Sequence, residues 1–163
     1  MLGIATALLA VGIAIVLARN VRAAIRERRL LRSVLRDLGA RPRIERREDL
    51  VSVKNFLNRR IFAHPALKDA PRPLLRASAT ETLATGRGYC GENARVAILL
   101  LQAGGVRAHR LYLRGPRWGH VIVEHEWQGG WRLFDGHAEP ATRFADEDVA
   151  RIVPEAIGDL PCA

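Results

Sequence analysis

The amino-acid sequence predicts an α+β domain preceded by one membrane-spanning helix. Residues 2–18 form an apolar run without a charged side chain. Residues 90–103 follow a glycine-rich loop and have the length and apolar content of a buried helix, and residues 106–135 contain short segments typical of antiparallel strands. With 163 residues, the chain has room for one domain of ordinary size and an appendage.

The apolar run predicts an uncleaved, single-pass membrane anchor over residues 1–18. Thr6 is the one polar side chain in residues 2–18. A helix of that length covers about 25 Å of a hydrocarbon core of ~30 Å. No basic segment precedes the run, as a signal peptide would require. A core helix of the folded domain is the alternative.

Positive charge is concentrated directly after the apolar run. The net charge of the chain is +9, and residues 19–47 hold eleven Arg against three acidic residues, which is +8 of that total. Such a flank is attracted to anionic lipid and, by the positive-inside rule, predicts a cytoplasmic domain. Because the rest of the chain is nearly neutral, nucleic acid is not expected as a partner. We expect a cell-membrane protein that contacts the lipid bilayer through residues 2–18 and this Arg-rich flank.

Residues 19–48 are predicted to form an Arg-rich amphipathic helix and a charged connector. Apolar residues recur at intervals of three and four from Val21 to Leu38. Gly39 then caps the helix, and Pro42 prevents its continuation. The apolar stripe has three candidate partners, namely the bilayer surface, the folded domain, or a subunit of a membrane complex. The sequence does not decide among them.

The folded domain is predicted to occupy residues 49–163. Asp49 is expected at the start of its first helix, as the N-cap or as a first-turn acid. Two cysteines in the whole chain exclude a scaffold held by several disulfides, so Cys90 and Cys162 are both interpreted as free thiols. The predicted helices are 49–60, 74–83 and 90–103, and the predicted strands are 106–113, 120–125 and 131–135.

Cys90 lies in the most informative segment, Gly-Arg-Gly-Tyr-Cys-Gly-Glu-Asn-Ala at residues 86–94. The segment is a glycine loop that opens a helix. In the first turn of a helix, backbone N–H groups without partners and the positive end of the helix dipole favour a thiolate over a thiol. Cys90 is therefore a candidate nucleophile, and a small buried side chain is the alternative interpretation.

His120 and Asp135 stand at the two ends of a predicted hairpin and are a candidate imidazole–carboxylate pair. A loop over residues 126–129 would place them directly opposite each other. A two-residue turn at positions 129–130 would instead separate them by about 13 Å along the strand. The turn chemistry is ambiguous. We expect the longer loop because it gives the two side chains a joint purpose.

No metal site or cofactor is predicted. His120 and His125 are five residues apart in one strand and so face opposite sides, and neither an H-E-x-x-H nor a C-x-x-C motif occurs. His109, His125 and His137 are expected to be surface or hydrogen-bonded residues. Cys162 is expected to have no role.

Four segments resemble the transglutaminase-like superfamily: the Cys90 segment at 86–94, L-L-Q-A-G-G-V-R-A-H-R at 100–110, G-H-V-I-V-E at 119–124 and W-R-L-F-D at 131–135. The resemblance implies a papain-like fold in which the Cys-bearing helix packs against an antiparallel sheet. It also implies a catalytic triad. In that triad Cys90 is the nucleophile, His120 the general base and acid, and Asp135 the orienting carboxylate.

Two positions depart from the family pattern. Ile122 replaces an aromatic residue that often follows the histidine at this distance, and Gly136 replaces a proline that often follows the aspartate. Neither change removes a catalytic group. Both concern the shape of the substrate groove.

The resemblance implies a cysteine enzyme that acts on amide bonds of a protein or peptide through a thioester, as a peptidase, deamidase or transamidase. The candidate substrate-binding residues are Trp118, Tyr89 and Glu92, although Trp118 is equally suited to packing and Glu92 is better suited to capping the helix. The backbone N–H of Cys90 is the first candidate donor to the oxyanion. The alternative function is a non-catalytic accessory subunit of a membrane protein complex, because a fold can persist without its chemistry.

Overall fold

The computed structural model describes residues 2–39, 43–61, 78–114, 119–137 and 147–148. Within these ranges four helices come first in the chain and four strands follow, so the predicted α+β class is confirmed. In chain order the elements are α1 (Leu2–Asp37), α2 (Arg47–Arg60), α3 (Ala79–Thr85), α4 (Cys90–Ala103), β1 (Ala108–Arg114), β2 (Gly119–Trp127), β3 (Gly130–Phe134) and β4 (Glu147–Asp148).

Helix α1 is one uninterrupted helix of 36 residues, where the sequence suggested an anchor and a separate amphipathic helix. Side chains 6–26 are exposed, whereas Leu31 and Leu35 in the last two turns are buried in the hydrophobic core. Of the three candidate partners, the folded domain therefore receives the second half of the apolar stripe, from Leu30 to Leu38, whereas Val21 and Ile25 in its first half are exposed. The packed core consequently begins upstream of the predicted boundary at Asp49.

Helix α2 begins two residues earlier than predicted, and Asp49 stabilises its first turn. One carboxylate oxygen of Asp49 accepts the backbone N–H groups of Glu45 and Arg46, at 3.2 and 3.1 Å. Asp49 is buried, and burial alone would raise the pKa of its carboxyl, but these two bonds and the Arg46 guanidinium lower it overall. The predicted first-turn acid is thus present. The buried face of α2 carries Leu50, Val53 and Leu57.

Helices α3 and α4 lead into and out of the Cys90 segment. The helix predicted at 74–83 is present from Ala79, after Ser78, whose Oγ accepts the N–H of Glu81 at 3.1 Å; residues 74–77 lie outside the described ranges. Helix α4 has the predicted bounds, Cys90–Ala103, and its buried face packs into the core. That face includes Ala94, Val96, Ala97, Leu100 and Leu101.

The strands form one antiparallel sheet in the order β1-β2-β3-β4. Helix α4 packs against β1 and β2, and Val123 and Phe134 from the sheet join the core beneath it. β4 has two residues and was not predicted. This arrangement brings the start of α4 and one end of the β2–β3 hairpin to the same part of the domain.

Candidate active site

The β2–β3 turn sets the position of His120 relative to Asp135. It consists of Gln128 and Gly129, with φ values of 50° and 78°, and Trp127 pairs with Gly130. Positive φ at both central residues is the type I′ geometry, whose twist matches that of the flanking strands. Both predicted turns are therefore wrong, and so is the preferred register that placed His120 directly opposite Asp135.

The pair nevertheless meets, because the observed register makes it a diagonal pair. Val123 is opposite Phe134, the last residue of β3. The next residue, Asp135, therefore takes the position opposite Ile122. His120 is two residues further along the same side of β2. Diagonal neighbours of this kind are roughly 7–8 Å apart at their Cα atoms, within reach of long side chains.

His120 and Asp135 form a partly buried hydrogen bond. His120 Nε2 lies 2.7 Å from Asp135 Oδ2, and the His120 side chain is 3% exposed. The other oxygen, Oδ1, accepts the backbone N–H of His137 at 2.9 Å. Burial raises the pKa of the Asp135 carboxyl. The hydrogen bonds from His120 and from the His137 backbone, together with the interaction of the carboxylate with both rings, lower this pKa by more, so it is lowered overall. The carboxylate is thus ionised at neutral pH and accepts a proton-bearing Nε2.

Cys90 is the first residue of α4, and its thiol is partly exposed and free of a disulfide. The residue before it, Tyr89, is the N-cap. Glu92 Oε2 accepts the Tyr89 backbone N–H at 3.0 Å, which is the capping bond favoured for this residue from the sequence. This hydrogen bond therefore connects the first turn of α4 to the end of the glycine loop, next to the candidate nucleophile.

The glycine loop packs closely beneath this first turn. A Cβ added at Gly88 would lie 2.8 Å from Glu92 Cβ and 3.2 Å from Ile61 Cγ2. A side chain at position 88 would therefore push the loop away from α4. Glycine is required at position 88 because the loop and the first turn of α4 lie too close together for a side chain.

The segment that follows β3 packs against the same turn of α4. A Cβ at Gly136 would lie 2.2 Å from Asn93 Oδ1, and the Asn93 side chain is 1% exposed. Asn93 is three residues after Cys90, which puts the two on neighbouring positions of the helix surface. The absence of a side chain at Gly136 therefore lets the Asp135 segment approach α4.

His137 is a member of the site that sequence reasoning treated as an ordinary surface or hydrogen-bonded residue. Burial lowers the pKa of its ring, although Asp135, the Tyr89 backbone and Glu92 act to raise it, and His120 lowers it further. The backbone N–H of His137 also donates to Asp135 Oδ1, so this residue lies next to the candidate carboxylate. The sequence offered one signal for His137, namely its position two residues after Asp135. A turn of the chain toward α4 after Asp135 brings His137 to the site.

Two other histidines among the described residues, His109 and His125, lie away from this site. His109 is on the exposed side of β1, with its Nε2 2.7 Å from Glu124 Oε2, and His125 is buried edge-to-face against Phe134. Within the ranges that the structure describes, no group of three His, Cys, Asp or Glu side chains is placed to hold a metal ion. Trp118 and Cys162 lie outside those ranges.

The chain was compared with known proteins at three levels. No protein-family model and no curated protein matches it. Among solved structures it is similar to a TGase, with a TM-score of 0.57, 11% identity and 81% of the chain covered. It is also similar to a protein from Cytophaga hutchinsonii assigned as a cysteine protease, with a TM-score of 0.44, 21% identity and 60% of the chain covered.

These similarities concern the fold. The chain spans about a third of either structure, 36% of the TGase and 32% of the Cytophaga hutchinsonii protein. The TGase is the informative match, because it covers most of the chain at a TM-score above 0.5. A helix that begins at the candidate nucleophile and packs on an antiparallel sheet is the arrangement that the resemblance of the motifs implied. The fold of this chain is transglutaminase-like.

Proposed function

We propose that the chain is a membrane-anchored cysteine enzyme that acts on amide bonds of a protein or peptide through a thioester. The observation that carries the proposal is the partly buried 2.7 Å hydrogen bond between His120 and Asp135. The segment that follows Asp135 packs at Gly136 on the first turn of the helix that begins at Cys90. A nucleophile, a base and an orienting carboxylate are the three groups that this chemistry needs.

The His120–Asp135 bond assigns the two ring nitrogens. Because the ionised carboxylate accepts from Nε2, Nε2 carries the proton of the neutral ring. Nδ1 is then the atom that would take the proton of the Cys90 thiol. The carboxylate also stabilises the imidazolium that results, as the orienting acid does in other triads.

The reaction follows from these assignments. The Cys90 thiolate would attack the amide carbonyl carbon, forming a C–S bond, while the backbone N–H of Cys90 donates to the developing oxyanion. Collapse of this intermediate breaks the C–N bond, and His120 gives its proton to the departing amine. Water or a second amine then attacks the thioester, with His120 again as base. Water makes the chain a peptidase or deamidase, and an amine makes it a transamidase.

The proposed activation of Cys90 is tested by its alkylation rate with iodoacetamide at pH 5 to 10. Because a thiolate near neutral pH reacts far faster than an ordinary thiol, we expect Cys90 at pH 6.5 to react about tenfold faster than N-acetylcysteine. In His120→Ala this advantage should disappear. Mass spectrometry of the Cys90 peptide separates the reaction from that of Cys162.

The matched control is His109→Ala, which removes an imidazole bonded to a carboxylate at the same 2.7 Å distance in an exposed pair of the same sheet. It should leave the Cys90 profile unchanged. Alkylation of Cys90 at the rate of N-acetylcysteine, without dependence on His120, would refute the enzyme and favour the accessory subunit of a membrane complex.

We further propose that residues 2–18 span the cell membrane once, with the domain in the cytoplasm. Within the described part of the chain, α1 is the one helix that is long and apolar enough to cross a bilayer. Its apolar half is exposed, and Leu8, for example, is 69% exposed. The Arg-rich flank on the domain side supports the cytoplasmic orientation.

Anchoring is tested with two substitutions at equally exposed positions of α1. Val11→Arg puts a charge at the centre of the apolar run, which costs about 2.5–3.5 kcal/mol on insertion scales, and should move protein from the membrane to the soluble fraction. Val21→Arg, at a position with the same 57% exposure but beyond the run, should not. Equal fractionation of both variants would contradict the proposed span, and a carboxy-terminal reporter active only outside the cytoplasm would contradict the orientation.

A further inference from the structure

We propose that one face of α1 binds an acidic amphipathic helix of a partner protein directly above the membrane surface. This face, called the Ile25 face, consists of Val21, Arg22, Ile25, Arg28 and Arg29. The inference concerns a surface that the proposed chemistry at Cys90 does not use. It rests on the proposed membrane span, because that span fixes the height of each residue of α1 above the bilayer.

The Ile25 face is apolar at its centre and basic at its rim. The neighbours of a residue on the surface of an α-helix are those three and four positions away. For Ile25 these neighbours are Val21 and the three arginines of the face. Ile25 is 46% exposed and Val21 is 57% exposed, and the arginines are exposed as well. An apolar pair surrounded by guanidinium groups is therefore accessible to a partner.

The folded domain neither covers the Ile25 face nor neutralises its charge. Burial of α1 in the core is confined to its last turns, with Leu31 as the first fully buried leucine. Residues 19–32 hold six arginines against one acid, Glu27, which is a net charge of +5. Among the residues that the structure describes, none forms an ion pair with an arginine of this face. Positive charge without counter-charges favours an anionic partner.

The height of the face above the bilayer argues against lipid headgroups as that anionic partner. At 1.5 Å per residue, Arg29 lies about 16 Å along α1 from Ala18, the end of the proposed span. With the average tilt of about 20°, Arg29 then stands roughly 15 Å above the hydrocarbon core. The headgroup layer is only about 5–7 Å thick on each side. Arg22, at about 6 Å, reaches this layer, whereas Arg28 and Arg29 lie above it.

An acidic amphipathic helix matches the Ile25 face in both charge and pattern. Its apolar stripe would cover Val21 and Ile25, and its glutamates, three or four residues apart, would meet the arginines. A second copy of this chain does not match. A symmetric contact through the same face would place arginine against arginine, and like charges across an interface are unfavourable.

The test measures peptide binding to the full chain in nanodiscs of phosphatidylcholine. The probe is a fluorescent helical peptide of about 18 residues, with leucine at intervals of three and four and glutamate on both flanks. We expect saturable binding by fluorescence anisotropy, and a loss of affinity of about tenfold in Arg29→Glu. Ile25→Ser keeps every charge and should lower the affinity about fivefold. The matched control is Arg59→Glu, which reverses an exposed arginine of α2 and should change the affinity by less than about twofold.

Several outcomes would overturn the inference. Absence of saturable binding, or equal losses in Arg29→Glu and Arg59→Glu, would show that the Ile25 face is not the binding surface. Equal binding of a peptide with the same composition in scrambled order would reduce the interaction to charge attraction alone. Loss of peptide binding in nanodiscs that contain phosphatidylglycerol would assign the face to lipid headgroups.

The proposed span and the proposed chemistry are checked separately. A chain that does not enter nanodiscs would refute the span and this inference together. Alkylation of Cys90 in Arg29→Glu should match that of the unmodified chain, because the Ile25 face is not part of the candidate active site. Failure of peptide binding with normal Cys90 alkylation would therefore overturn this inference alone.

Discussion

Asp135→Ala is expected to lower acylation of Cys90 by roughly 10²- to 10⁴-fold, as in other triads that lose the orienting carboxylate. The substitution removes the acceptor of His120 Nε2 and of the His137 backbone N–H. The His120 ring then lacks the bond that selects its tautomer and orientation. The measurement is single-turnover acylation by p-nitrophenyl acetate, with folding checked by circular dichroism.

Asp135→Asn should also lose most of the rate although it keeps the shape of the side chain, because Oδ1 and Oδ2 both accept hydrogen bonds and an amide has only one acceptor oxygen. The matched control is Glu124→Ala, which removes a carboxylate bonded to an imidazole at the same 2.7 Å in an exposed pair of the same sheet. It should leave acylation unchanged. An equal loss in the Glu124 and Asp135 alanine variants would show that Asp135 has no particular role in orienting His120.

Leu35→Ala is expected to lower the free energy of unfolding by about 2–5 kcal/mol, the cost of deleting a buried leucine side chain and leaving a cavity. Leu35 is 2% exposed and belongs to the core, although it lies in the same helix as the proposed membrane span. The measurement is urea unfolding of the full chain in detergent, followed by tryptophan fluorescence.

The control for this prediction is Leu17→Ala, the same substitution in the apolar half of α1, where the side chain is 58% exposed. It makes no contact with the core and should leave unfolding of the domain unchanged. If both variants unfold at the same urea concentration as the unmodified chain, then the end of α1 does not contribute to the core.

Local signals predicted the elements on which the site depends. The glycine loop, the acid at Glu92 and the apolar run that follows Cys90 belong to one short segment, so the bounds of α4 could be read from neighbouring residues. The alternation around His120 and Asp135 predicted a hairpin for the same reason. Such patterns depend on contacts within a few residues of the chain.

Features that depend on distant contacts were not predictable in this way. The hairpin register depended on Gln128 adopting positive φ, which is unusual for a side chain other than glycine, asparagine or aspartate. The place of His137 depended on the close approach of Gly136 to α4. The partner of the apolar stripe that contains Leu35 depended on the three-dimensional core. Each of these is a tertiary contact for which periodicity carries no information.

If residues 2–18 span a membrane as proposed, the continuity of α1 couples the orientation of the folded domain to that span. An uninterrupted helix of 36 residues is about 54 Å long and has no hinge between its exposed and buried halves. With residues 2–18 in a bilayer, a change in the tilt of this helix would rotate the folded domain together with it. Tilt responds to the thickness of the hydrocarbon layer. The lipid composition of the membrane would thereby influence the orientation of the candidate active site relative to the membrane surface and to an approaching substrate.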